Sequence, residues 1–200
     1  MKLSKLLLAT VGATVLLGAL VGGASARNFS RSNLFITVQW RGVTFNGAFG
    51  RIVCPMHAEG SFHARTYAKR ASALLGYITQ ATFSPCSEQS ATILREALPW
   101  HIRYLAFAGV LPNILNIRYN FIGVSLRVRE AFGLTCLARS TEARPAIVTT
   151  NRDVSSRTIT TATITGTVPT DCFGAEGTVS SEPVEWFLLG SSSRVTITLI

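Results

Sequence analysis

Past its first 26 residues the chain has almost no lysine. Lys69 stands alone among seventeen basic residues, and the other sixteen are arginine. Aspartate is nearly as scarce, with only Asp153 and Asp171, and histidine occurs three times, at His57, His63 and His101. So few acids and imidazoles leave little from which to assemble a hydrolytic site. No G-x-S-x-G elbow is present, because "GVSLR" at 123–127 ends in Arg127 where glycine is required. No cysteine precedes Cys54, so no N-terminal lipid anchor on cysteine is expected. After the leader no apolar run approaches the ~20 residues of a membrane helix, so none is expected in the mature chain.

The opening segment has the order of a secretory signal peptide. Lys2 and Lys5 precede an apolar stretch that ends in the small residues Ala24-Ser25-Ala26. Cleavage is expected after Ala26, which removes residues 1–26 and leaves 174 of the 200 residues. That length suits one domain, 27–200, able to bury its own core. The expected location is outside the cytoplasm, secreted or at the cell envelope. Cys54, Cys86, Cys136 and Cys172 are then an even set in an oxidising compartment, and two disulfides follow. Three connectivities exist; Cys54–Cys86 with Cys136–Cys172 is favoured because each encloses a moderate loop.

Alternation of apolar and polar residues is the dominant pattern. In "LFITVQW", Leu34, Ile36, Val38 and Trp40 share a face. In "TATITGTV", Ala162, Ile164, Gly166 and Val168 oppose four threonines. "RVTITLI" repeats the scheme and follows a candidate hairpin at Gly190–Ser193. Only "TYAKRASALLGYI" and "SATILREAL" leave room for a helical turn, the second stopped by Pro99. Many short strands with one polar face predict an all-β fold, an antiparallel sandwich, with a closed β-barrel as the alternative.

"CPMHAEGSFH", Cys54 to His63, tests that reading, since it gathers a thiol, two imidazoles and a carboxylate. His57-Ala58-Glu59 copies half of a zinc deaminase signature. The other half fails, because Pro85-Cys86 is followed by Ser87, Glu88 and Gln89 instead of a second cysteine. As a strand, the segment sorts Ile52, Cys54, Met56, Ala58, Gly60 and Phe62 to one side. His57, Glu59 and His63 fall on the other, where with His101 they form a candidate zinc or copper site set against an ordinary solvated face. No cofactor is assigned.

Two segments mix arginine with aromatics. "LPWHIRYLAF" holds Trp100, His101, Arg103 and Tyr104, and "LNIRYNF" holds Arg118 and Tyr119. These six form a candidate stacking and charge surface for an anionic envelope polymer or glycan. Filling of the core by the same aromatics is the competing expectation. Without Lys2 and Lys5 the chain holds seventeen basic and ten acidic residues, a net +7 that fits an anionic partner. No nucleic acid is expected among its partners.

The phrases "EGSFHARTYAK", "LLGYIT", "LPWHIRY" and "GVLPNI" resemble those of a group of exported bacterial β-rich proteins with no established activity. The likeness spans residues 34–200. It implies export and a β fold, and it transfers no functional residue. The leading expectation is a non-enzymatic exported protein with a binding or structural role. The alternatives are an envelope pore, with "TATITGTV" lining a polar lumen, and a metal-binding or hydrolytic exported enzyme.

Overall fold

The computed structural model describes residues 28–47, 50–87, 90–129, 135–172, 176–184, 186–187 and 195–200. The leader, its cleavage point and the Gly190–Ser193 hairpin lie outside these residues. Strands occupy β1 (Asn28–Arg31), β2 (Phe35–Gly47), β3 (Gly50–Phe62), β4 (Thr66–Ala68), β5 (Leu74–Phe83), β6 (Ser90–Ile93), β7 (Trp100–Val110) and β8 (Asn113–Ile122). They continue as β9 (Ser125–Arg129), β10 (Thr135–Arg139), β11 (Ala146–Arg152), β12 (Ile159–Pro169), β13 (Glu176–Ser181), β14 (Trp186–Phe187) and β15 (Ile197–Leu199). Of the two segments that left room for a helix, "TYAKRASALLGYI" is strand and turn. "SATILREAL" keeps one 3₁₀ turn, Arg95–Ala97. Among the described residues no helix is long and apolar enough to cross a membrane.

All pairings are antiparallel, as the one-sided alternation predicts. The large sheet runs β13-β12-β11-β8-β7-β5-β3-β2-β14. β13 pairs with β12 on one edge and with β2 on the other, so the ladder returns to its start. β14 extends the β13 position: Ser181 faces Val43, Trp186 faces Val38, and the register against β2 is the same. Val184 bridges to Ala162 between them. The circuit therefore has eight strand positions, one of them interrupted near Pro183, where proline offers no N–H to the ladder.

The apolar parity of each strand faces inward. On β3 the burial alternates from Ile52 to Phe62, with Cys54, Met56 and Ala58 inside and His57 and Glu59 outside. On β12, Ala162, Ile164 and Val168 are buried while Thr163 and Thr165 face out. Trp40, Trp100, Ile102, Ile117, Phe121 and Val148 complete the middle of one continuous core.

Two small sheets close the ends. At one end, the sheet β10-β9-β6 sends Leu126 inward, where with Val124 it lines an apolar void alongside Phe45, Met56, Ala146 and Val168. Both disulfides attach this end. Cys54 on β3 joins Cys86 just before β6, and Cys136 on β10 joins Cys172 just after β12. The favoured pairing is the one formed.

At the other end, β15-β1-β4 covers an aromatic cluster. Phe29 lies 5.6 Å from Tyr67, 6.0 Å from Tyr104 and 5.9 Å from Phe107, ring centre to ring centre. The Tyr67 and Tyr119 hydroxyls are 3.2 Å apart. Within this cluster the buried Arg31 guanidinium lies 3.1 Å from the Phe62 ring centre, and its Nε and Nη1 have no hydrogen-bond partner.

Candidate functional site

The arginine–aromatic surface expected from "LPWHIRY" and "LNIRY" splits across the sheet. Trp100, Tyr104 and Tyr119 are all buried and cannot stack on a ligand. Packing claimed them, because each falls on the inward parity of β7 or β8 and a closed circuit needs bulk at its centre. His101, Arg103 and Arg118 take the outward parity. Arg103 pairs with Glu142 at 2.7 Å.

The histidines also separate. His57 Nε2 and Glu59 Oε1 lie 2.9 Å apart, so these two do meet on the outer face of β3. β3 ends at Phe62, and His63 turns away to pack its ring edge-on against Tyr77, 4.9 Å between centres. Tyr77 in turn meets His101 at 5.3 Å. Among the described residues no group of three His, Cys, Asp or Glu side chains is placed to hold a metal ion. Strand parity placed His63 beside Glu59, whereas the end of the strand removes it.

Tyr77 is the residue that sequence reasoning passed over. Its parity in "LLGYIT" is outward, opposite Ser61 on one side and His101 on the other. The strands can approach here because Gly60 and Gly76 lack a Cβ: one at Gly60 would collide with Tyr77 O, and one at Gly76 with Ser61 O.

The polar concavity lies further along β5. A cavity of about 280 Å³ is lined by Thr79, Gln80, Ala81, Thr82, Arg95 and Leu98. A second, of about 190 Å³, shares Thr82 and Arg95 and reaches Thr92 on β6. Gln80 sits opposite Glu59, and Thr82 opposite His57. Hydroxyls, an amide and a guanidinium therefore share one groove, the donor and acceptor set that sugar hydroxyls use.

Through Thr92 the second cavity adjoins the small sheet, whose outer face carries three arginines. Thr92 is the cross-strand partner of Arg127, and Arg127 and Arg129 project together from β9. Arg139 stands on β10 opposite Ser125. Alternate residues on a strand are ~7 Å apart, which spaces Arg127 and Arg129 along β9, and the β9–β10 register sets Arg139 diagonally across from Arg127 on the same face. All three are exposed. None has an ion-pair partner among the described residues, and several of the described acids are engaged elsewhere. Glu59 is on His57, Glu142 on Arg103 and Glu176 on Arg144. Asp171 Oδ1 accepts the Leu137 N–H at 2.6 Å, and Asp153 Oδ1 accepts from Ser155 and Ser156.

No family model, curated protein or solved structure matches the chain.

Proposed function

We propose that this is an exported, non-enzymatic domain that binds an acidic polysaccharide or other anionic polymer of the cell envelope. The observation that carries the reading is the cluster Arg127, Arg129 and Arg139, without an ion-pair partner among the described residues, on the small sheet whose Thr92 lines the cavity shared with Thr82 and Arg95 of the β5 groove. Two disulfides and the absence of a membrane-crossing helix among the described residues are compatible with an extracellular location. The signal-like leader supports export.

Magnitudes favour a polymer over a single sugar acid. An exposed charge pair contributes only ~0.2–1 kcal/mol, so one contact holds nothing and three on one face acting together hold a repeating polyanion. The pore alternative has less support, since apolar side chains fill the inside of the circuit and threonines face out, the reverse of a lipid-facing barrel. For a metal-dependent or hydrolytic activity there is the His57–Glu59 pair, and among the described residues no third His, Cys, Asp or Glu joins it as a metal-holding group.

The test is retention of the mature protein on immobilised polyuronate, a phosphodiester polymer and a neutral glucan. Retention on a polyanion at about 20 mM salt and release at about 500 mM, where the Debye length is a few ångströms, is expected. Arg127→Gln, Arg129→Gln and Arg139→Gln together should abolish it. Passage through every polyanion at low salt would overturn the reading.

A further inference from the structure

β11 runs between the two ends of the domain. Ala146, its first residue, lines the void beneath β9, and Arg152, its last, lies ~20 Å away at three and a half ångströms per residue. Arg152 is buried, and its guanidinium is held in one orientation by the backbone. Nε donates to Ile197 O at 2.9 Å and Nη1 to Ile114 O at 3.1 Å. Neither bond supplies a counter-charge. Among the described residues Nη2 has no protein acceptor and no carboxylate pairs with Arg152. The adjacent Asp153 instead turns its Oδ1 onto its own turn, to Ser155 and Ser156.

Beside this fixed cation is a cavity of about 150 Å³ lined by Pro112, Asn113, Arg152, Val154, Arg157 and Leu199. Arg157 enters it from the far side of the 153–158 turn, where its backbone takes a positive φ of 59°. Burial, and after it the charge of Arg157, holds the Arg152 guanidinium below its ordinary value. Two cations therefore share one small polar cavity; the neighbouring Asp153 offsets Arg152 only in part, without an ion pair, and none of the residues lining the cavity is acidic.

We propose that this chamber binds a phosphate group, anchored by Arg152 and Arg157. Charge matching selects phosphate. A dianion compensates both guanidiniums and has three terminal oxygens for their forked donors, whereas a carboxylate leaves one cation unmatched. Size agrees, since 150 Å³ is about five times the ~30 Å³ share of a water molecule in the liquid. That admits a phosphate with a few attached atoms. The site is separate from the cluster Arg127, Arg129 and Arg139, at the opposite end of β11.

The experiment is a nuclear magnetic resonance titration of the disulfide-bonded mature domain with inorganic phosphate, glycerol phosphate, a glycerol phosphodiester and acetate. Saturable shifts of the Asn113, Val154, Arg157 and Leu199 amides with phosphate are expected. Arg157→Asn keeps a residue that tolerates positive φ and should weaken binding about tenfold or more, the loss of one charge-assisted bidentate contact. Arg152→Lys keeps charge, loses the fork, and should weaken it similarly. Binding of inorganic phosphate alone assigns the site to the free ion, and equal or tighter binding of the monoester assigns it to a phosphorylated molecule; both support it. Absence of saturable shifts, an equal response to acetate, or binding unchanged in Arg157→Asn overturns it. The triple arginine-cluster variant should bind phosphate normally, which keeps this result independent of polymer retention.

Discussion

Trp40 and Ala162, 122 positions apart, meet at the interrupted strand of the circuit. The indole Nε1 donates to Ala162 O at 3.2 Å, and the same carbonyl accepts the Val184 N–H at 3.1 Å. β2 and β12 are not paired strands, so this bond spans the position where β13 gives way to β14. It lies beside the register shift of β2 between Trp40 and Val43. Trp40→Phe removes the donor and keeps most of the ring. A loss of about 1–2 kcal/mol in urea unfolding is expected, from the bond and the small void together. An unchanged midpoint would show that the seam does not depend on it.

The disulfides should act through the unfolded chain and through one end of the domain. Their separations, 32 and 36 residues, are nearly equal, so each should contribute a similar ~2–4 kcal/mol. Paired Cys→Ala variants test this by thermal melting. Local loosening should appear first in β6, β9 and β10, read by hydrogen exchange, because both bridges attach that sheet. Loosening centred on β1 and β15 would contradict the assignment.

Arg31 offers a test of opposite sign. It is fully buried, two of its nitrogens lack partners, and burial lowers its pKa. A methionine of similar length keeps the contact with Phe62 without the desolvation cost of a charge. Arg31→Met should therefore be neutral or stabilising by ~1–3 kcal/mol. A large destabilisation would mean that the cation over Phe62 outweighs its burial.

Alkaline pH should unfold the aromatic end. Burial, and then Tyr119, push the Tyr104 hydroxyl up to about 12 from 10.0, and Tyr67 is raised well above the same value, again mainly by burial. A raised folded value means that the native state holds its protons while the unfolded chain releases them. This stabilisation is complete below pH 10 and falls as pH climbs toward 12. Phenolate absorbance should lag in the native protein and rise together with unfolding. Tyr104→Phe should flatten the pH dependence of stability over that interval.

The turn after β11 should respond to acid. Hydrogen bonds from the Ser155 hydroxyl, the Ser156 N–H and the Ser156 hydroxyl hold the Asp153 carboxyl at about 2, against an ordinary 3.8. The depressed value places this contribution above pH 3.8, and it is lost as pH falls through 2. The Ser156 amide resonance should report the transition. In Asp153→Asn it should be pH-independent over the same range.

Much of the architecture was legible because strand alternation is a local property. The parity of "IVCPMHAEGSF" put Cys54 inside and His57 and Glu59 outside, and burial along β3 follows it residue by residue. The threonines of "TATITGTV" likewise mark the outer face. Loop length favoured the disulfide partners that form without deciding among the three connectivities. The binding surface was less legible, because aromatic content does not reveal which parity a closed core will claim. Trp100, Tyr104 and Tyr119 went inside, and Tyr77 was left on the surface.

By itself the sequence determined the strands, their inward faces and the arginine excess, since each depends on neighbours one or two positions away. Which arginines remain uncompensated was decided only in three dimensions. Arg127 and Arg139 lie twelve positions apart and come together through the β9–β10 register, while Arg152 and Arg157 share a cavity lined also by Pro112 and Leu199. Charge compensation depends on distance through space, and that is set by strand order and register around the closed circuit.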